Sequence, residues 1–357
     1  MILYNILLFI TGGLSFVKLK KKSTRTAMRL IIFPMIVIVG LRSIEIGNDT
    51  ITYLRTFSNL KYFSILEVIS GNFRIEKGYL IYNKIIQNIY PEYWFFLFIT
   101  SLAIFYAIHL HIKKNSYNTF LSVFLLISFG YYGQTMNITR QMIAISLILI
   151  AYEKLKVKRN ISFVLMIILA SFFHKTAIIF MSIYFLREKK YSHRNFKAFM
   201  LASIIINLIG MVLIRTIVRL PFFSRFAGYI GGNYIGQMNI GSLFGIIISL
   251  SSICSLYYTY AIKCNTKKLK SETSIEMWIC SFGFLFSSLT LTGSIMSRIA
   301  LYFMFFNITF ITKVLKFSRN KRIWTVIVLV LAFTYFSIIM LLRPEWNYIY
   351  PYRFFWQ

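Results

Sequence analysis

Long apolar runs alternate with short polar segments along most of the chain. A helix needs about 20 apolar residues to cross the hydrocarbon core of a membrane, within a range of roughly 17–25. Twelve runs approach that length: 2–17, 28–41, 92–112, 118–136, 138–153, 160–173, 175–186, 198–219, 241–262, 275–292, 298–312 and 323–342. The pattern predicts an all-α polytopic integral membrane protein with about 12 transmembrane helices and both termini on the external side.

Clusters of basic residues lie between these runs. Lys and Arg number 40 against 10 Asp and Glu, a net charge of +30. The clusters are 18–29, 113–114, 154–159, 187–197, 263–270 and 313–322. Positive charge marks the cytoplasmic ends of helices, and two spans fit between each neighbouring pair of clusters. The charge is therefore a topological anchor, and we expect no nucleic-acid partner.

The composition excludes a soluble domain. Hydrophobic residues make up 58% of the chain and charged residues 14%, whereas a soluble domain is about 25% charged. The run 2–17 has its charges after it, unlike a cleaved signal. Cys254, Cys264 and Cys280 lack metal-ligand spacing, so we expect no metal site and no cofactor. We expect a single integral-membrane domain over 1–357.

Two external loops stand out. The loop 42–91 carries mixed charge, and the loop 220–240 is rich in Gly and contains Arg225. In the first loop, apolar residues recur at helical spacing at Ile75, Tyr79, Tyr82 and Ile86. This spacing predicts one long external loop with an amphipathic helix at the membrane interface.

The short runs 160–173 and 175–186 meet at His174. At about 1.5 Å per residue each is about 18–21 Å long, which predicts a thinned membrane or a hairpin that turns below the outer surface. Irregular backbone at that depth is tolerated only beside protein or a water-filled cavity. His174 is therefore either a functional residue or a partner in a hydrogen bond within the turn.

Ionisable residues follow directly on the second run at Arg42, Glu45 and Asp49. The sequence Gly47-Asn48-Asp49 indicates a turn. Asp49 either caps the helix that follows or, like Glu45, acts as a general base beside Arg42.

Arginines dominate the expected external face. Arg140 and Arg298 each lie near the external end of a run, where an arginine either extends to the interface or binds an anion. External acids are too few to pair with all the arginines. A lipid-linked phosphate or diphosphate is therefore the expected anion.

Six motifs, in order along the chain, resemble those of the EpsG-like, Wzy-type polysaccharide polymerase family. They are Leu41-Arg42 with Gly47-Asn48-Asp49, Tyr53 and Phe57; Glu76-Lys77-Gly78-Tyr79; 137–144 (Asn-Ile-Thr-Arg-Gln-Met-Ile-Ala); 170–177 around Phe173-His174; Arg298 with Tyr302-Phe303; and Pro351-Tyr352. Asn48 departs from the pattern, where Thr or a similar residue is expected. The region 190–290 resembles the family only in its hydrophobic pattern.

The resemblance implies a metal-independent membrane glycosyltransferase of GT-C-like architecture. Such proteins join oligosaccharide repeat units carried on undecaprenyl diphosphate, at the outer side of the bacterial cytoplasmic (inner) membrane. The growing chain passes from its lipid carrier to a sugar hydroxyl of a new unit. Membrane lipids and a separate chain-length regulator are the other expected partners.

The expected roles follow from that chemistry. Arg140 and Arg298, with Arg42 in support, would hold the donor diphosphate. Asp49 is the preferred base, with His174 or Glu45 as alternatives. Further substrate contacts are expected from Asn137, Gln141, Tyr53, Glu76, Tyr79, Tyr302, Arg225 and Tyr352.

Three other functions stay open. A flippase or transporter would act on the same lipid-linked oligosaccharide, but no inverted repeat is visible in the sequence. A membrane O-acyltransferase would use His174 and leave the arginines unexplained. A glycan ligase would need the same diphosphate site as a polymerase.

Overall fold

The structure, a computed structural model, describes residues 1–218, 240–263, 270–291, 296–344 and 348–357. These residues are helical apart from turns and one isolated antiparallel bridge between Arg42 and Phe354. Residues 220–239 of the second predicted loop, with Arg225, lie outside the described residues.

The chain divides into two compact units, Met1–Ile178 with Ser318–Gln357, and Ile179–Phe317. The helices of the first unit are α1 (Ile2–Leu14), α2 (Lys21–Gly40), α3 (Thr50–Asn59), α4 (Ile65–Ser70), α5 (Lys77–Ile89), α6 (Tyr93–Asn115), α7 (Thr119–Ser128), α8 (Tyr131–Asn137), α9 (Thr139–Lys156), α10 (Asn160–Phe173) and α17 (Lys321–Leu342). Those of the second unit are α11 (Ser182–Leu186), α12 (His193–Val218), α13 (Ile240–Tyr257), α14 (Lys270–Ser288), α15 (Met296–Met304) and α16 (Asn307–Lys316).

Six helices in the described part of the chain are long and apolar enough to cross a membrane. They are Lys21–Gly40, Tyr93–Asn115, Leu243–Tyr260, Thr273–Leu291, Met296–Lys316 and Lys321–Leu342, and four shorter apolar helices accompany them. The prediction of an all-α polytopic membrane protein is confirmed. The count of 12 spans, the single domain and the GT-C-like architecture stay predictions.

The predicted run 118–136 is not a continuous helix. It forms α7 and α8, separated by Phe129 and Gly130. Gly130 has φ +78°, a left-handed conformation that glycine adopts at little cost and that commonly ends a helix. Hydropathy misses the break because the residues on both sides of it are apolar.

The loop 42–91 folds into α3, α4 and α5. The predicted amphipathic helix is α5, and its Tyr79 and Ile86 are buried. They join Tyr53 of α3 and Phe96 of α6 in one core cluster. The apolar face of α5 thus packs on protein, and this packing fixes the loop against the membrane helices.

Candidate functional site

The turn that begins with Arg42 is fastened to the end of α8. Arg42 is 1% exposed, and its guanidinium donates to the carbonyls of Val39 and Met136, the latter at 3.0 Å. The Thr50 hydroxyl lies 3.3 Å from the same Met136 oxygen. Burial lowers the pKa of Arg42, and these carbonyl contacts offset part of the cost of burying its charge.

Gly47 makes this close approach possible. It has φ +93°, and a Cβ there would lie 2.5 Å from the Met136 carbonyl oxygen. Any side chain would therefore be strained and would collide with α8. The turn can therefore pack on α8 only with glycine at position 47.

Asn137, the last residue of α8, holds the next part of the turn. Its Oδ1 accepts from the Asn48 N–H at 2.6 Å, and its Nδ2 donates to the Gly133 carbonyl at 3.2 Å. Asn137 is buried, as is Gln141 on the next helix. Both predicted substrate contacts therefore lie inside the scaffold, where Asn137 positions Asn48 and Asp49.

Asp49 stands at the start of α3 without capping it. Its side chain makes no capping hydrogen bond to the helix, so the capping interpretation of its carboxylate is wrong. The carbonyl of Asp49 instead accepts from the Tyr53 N–H at 3.0 Å. The carboxylate is half-buried at the N-terminus of α3. The role of general base stays a prediction.

Arg140 forms an ion pair with Glu76, although 64 residues separate them in sequence. Their side chains are 24% and 13% exposed. The Arg140 Cζ also lies 5.6 Å from the ring centre of Tyr53 and 5.9 Å from that of Tyr79. The expectation that Arg140 lacks an acid partner is wrong, because folding of the loop 42–91 brings Glu76 to α9.

Glu76 also contacts the turn that contains His174. Its other carboxylate oxygen accepts from the Lys175 N–H at 3.4 Å. A Cβ at Gly78 would lie 2.7 Å from Phe172, so the start of α5 packs closely on the end of α10. Glu76 thus connects Arg140 to the segment that follows α10.

His174 ends α10 with an extended backbone, φ −152° and ψ 109°. A 3-10 helix, Lys175–Met181, follows it. The His174 Nδ1 lies 2.8 Å from the Thr176 hydroxyl. This is the hydrogen bond within the turn that one of the two interpretations of His174 predicts. That contact orients the half-buried ring, and the depth of His174 in a membrane stays a prediction.

The C-terminal tail covers the Arg42 turn, a contact that the sequence did not predict. The Tyr352 hydroxyl donates to the Ile38 carbonyl at 2.7 Å. Backbone hydrogen bonds, each of 2.9 Å, join Ser43 to Arg353, Phe355 to Leu41 and Gly47 to Tyr348. Pro351-Tyr352 is the sequence motif that lies at this contact, because the Tyr352 hydroxyl reaches the end of α2.

Glu45 lies at the exposed rim of the same region. It pairs with Arg353 at 3.2 Å, and the two side chains are 63% and 56% exposed. Arg353 is thus a second arginine with an acid partner. Exposed pairs of this kind contribute little to stability.

Arg298 and Tyr302 belong to α15 in the second unit. Arg298 is exposed near the start of the helix, and Tyr302 is fully buried. The grouping of Arg298 with Arg140 stays a prediction.

The Tyr79 hydroxyl adds an uncharged donor to the site. It is buried without a hydrogen-bond partner among the described residues. Burial raises the pKa of Tyr79 well above its ordinary value, so the phenol stays neutral. The described residues contain no cluster of three or more His, Cys, Asp or Glu side chains that could hold a metal ion.

The first unit thus brings the first four motifs together, with basic, acidic and aromatic side chains side by side. Such a site suits the recognition of an anion attached to a polar group. Comparison with protein families matches residues 25–354 to the EpsG family. Comparisons with curated proteins and with solved structures give no match.

Proposed function

The chain belongs to the EpsG family of membrane proteins, which is linked to polysaccharide biosynthesis, and on that premise we propose that it is a polysaccharide polymerase. It joins oligosaccharide repeat units carried on undecaprenyl diphosphate. The acceptor hydroxyl oxygen bonds to the anomeric carbon of the donor, and the bond from that carbon to the diphosphate breaks. Undecaprenyl diphosphate leaves with the bonding electrons, and the hydroxyl proton passes to a base.

The observation that carries this proposal is the Arg140 site. A leaving diphosphate gains negative charge, and a fixed cation beside it stabilises the transition state. Arg140 is held in place by Glu76 and flanked by Tyr53 and Tyr79. A guanidinium oriented in this way suits a diphosphate better than a mobile surface arginine would.

Asp49 is the proposed base. It lies one helical turn before Tyr53, whose ring lies beside Arg140, and residues four apart share a helix face. Its neighbour Asn48 is tied to Asn137, three residues before Arg140. A proton acceptor and a diphosphate site therefore occupy one region, with His174 and Glu45 as alternative bases.

The other arginines take different parts in the proposal. Arg42 is buried with its guanidinium on backbone carbonyls, so we assign it to positioning the turn that carries Asp49. Arg298 remains a proposed diphosphate ligand on the basis of its sequence motif alone.

The proposed location is the bacterial cytoplasmic membrane, with this site on its outer side. The basic clusters support that orientation, because they place the ends opposite to the motifs in the cytoplasm. The proposed substrate is then a repeat unit that has already crossed the membrane. A separate chain-length regulator remains a proposed partner.

The test uses purified protein incubated with lipid-diphosphate-linked repeat units and a gel that resolves chain lengths. We expect the wild type to give a ladder and Arg140→Ala to lose it, with a rate at least about 10²-fold lower. Arg55→Ala is the matched control, since Arg55 is an exposed arginine of α3 and should leave the ladder intact. An Arg140→Ala protein that melts like wild type and still polymerises at the wild-type rate would refute the role of Arg140.

A further inference from the structure

Glu76 uses both of its carboxylate oxygens at once. One accepts from the Arg140 guanidinium and the other from the Lys175 N–H at 3.4 Å. The Glu76 side chain is largely buried. A carboxylate held from two sides in this way keeps its geometry better than one in an exposed pair.

The pair changes the charge that an arriving anion meets. Arg140 and Glu76 together are neutral, and Tyr53 and Tyr79 add no charge in their neutral forms. A diphosphate that approaches Arg140 is attracted by the guanidinium and repelled by the carboxylate beside it. Both effects are stronger than at an exposed site, because the two side chains are only 24% and 13% exposed.

Arg140 retains capacity for a second partner. A guanidinium carries five N–H donors, and the contact with Glu76 engages Nη1. A hydrogen bond with the Tyr53 side chain takes up part of the remaining capacity. The Arg140 side chain is 24% exposed, so an anion can reach the guanidinium while Glu76 remains in contact with it.

We propose that Glu76 is the resident counter-ion of Arg140 and that its charge limits the affinity of this site for diphosphate. It holds the guanidinium in the orientation that the reaction needs and weakens binding enough for the product diphosphate to leave. This role rests on the proposed function, since the diphosphate is that of the lipid carrier. Glu76 is a positioning residue in this scheme and takes no proton.

The test measures binding of inorganic pyrophosphate to the purified full-length protein by calorimetry. Glu76→Gln keeps the size of the side chain and removes its charge. We expect Glu76→Gln to bind pyrophosphate about tenfold more tightly than wild type. Arg140→Ala should bind it more weakly than wild type. The double variant should bind it more tightly than Arg140→Ala, because the repulsion is gone, and more weakly than Glu76→Gln, because the guanidinium is gone.

Glu67→Gln is the matched control. Glu67 is an exposed acid in the same loop, and it forms a capping box with Ser64 at the start of α4. Glu67→Gln also removes one negative charge, but at a position that does not contact Arg140. Its affinity for pyrophosphate should therefore equal that of wild type. If Glu76→Gln melts at a lower temperature than wild type, both proteins are compared below the melting temperature of the variant, where it is still folded.

Kinetics of polymerisation separate this role from a purely structural one. Tighter binding of the ground state with slower product release should lower both KM for the donor and kcat in Glu76→Gln. A purely structural role would lower kcat without lowering KM. Affinity for pyrophosphate that is unchanged or weaker in Glu76→Gln would overturn the proposal.

The two claims fail separately. Tighter pyrophosphate binding in Glu76→Gln with no ladder from the wild type would support the counter-ion and reject the polymerase. A ladder from the wild type without tighter binding in Glu76→Gln would keep the polymerase and reject the counter-ion.

Discussion

Replacing Gly47 with alanine tests how tightly the Arg42 turn is fastened to α8. Gly47 has φ +93°, and an added Cβ would lie 2.5 Å from the Met136 carbonyl oxygen and 2.8 Å from the Thr50 hydroxyl. That carbonyl also accepts from Arg42 at 3.0 Å. One methyl group therefore disturbs the shared acceptor of the turn.

The cost has two parts. A left-handed backbone costs an ordinary residue about 1–2 kcal/mol, and overpacking a filled site typically costs about 1–3 kcal/mol. The free energy of unfolding should fall by about 2–5 kcal/mol. A displacement of about 1 Å at a reacting group can cost about 10²-fold in rate, and we expect a loss of that order in ladder formation.

The assay compares thermal melting and ladder formation in Gly47→Ala and Gly13→Ala. Gly13 lies in α1, and a Cβ there would meet no atom within 4 Å, so its replacement should leave the free energy of unfolding at the wild-type value or up to about 1 kcal/mol above it. If Gly47→Ala melts and polymerises as Gly13→Ala does, the described fastening of the turn to α8 is wrong.

Two further predictions concern other contacts of the same region. Asp49→Asn keeps the shape of the side chain but cannot accept the proton, so turnover should fall by about 10²–10⁴-fold while calorimetry shows unchanged pyrophosphate binding; retained turnover would move the base role to His174 or Glu45. Tyr352→Phe removes the 2.7 Å hydrogen bond to the Ile38 carbonyl, which should lower the free energy of unfolding by about 0.5–1.5 kcal/mol. A melting temperature equal to that of wild type would show that this hydroxyl does not help to hold the tail.

Much of the fold could be predicted because it depends on local patterns. Apolar run length predicts membrane helices, and each of the twelve predicted runs coincides with helical segments in the described residues. Helical spacing likewise located α5. The break at Gly130 was missed, because a glycine within an apolar run does not change hydropathy.

The partners within the site were harder to predict. Arg140 and Glu76 are both motif residues, yet their pairing depends on how the loop 42–91 folds over α9. Arg42 is buried where its turn packs closely on α8. That close approach depends on the positive φ of Gly47, which cannot be read from the sequence. The tail contacts join residues more than 300 positions apart, and the periodicity of a sequence predicts only contacts within one element.

Glycosyl transfer from a lipid diphosphate is the central claim, and the release of lipid diphosphate tests it most directly. The measurement counts undecaprenyl diphosphate and glycosidic bonds formed by the purified protein in detergent micelles, where movement across a membrane plays no part. The account predicts one lipid diphosphate released for each new bond, and loss of both in Arg140→Ala. Intact lipid-linked units with no release, from a protein that moves them across vesicle membranes, would contradict it and indicate a flippase.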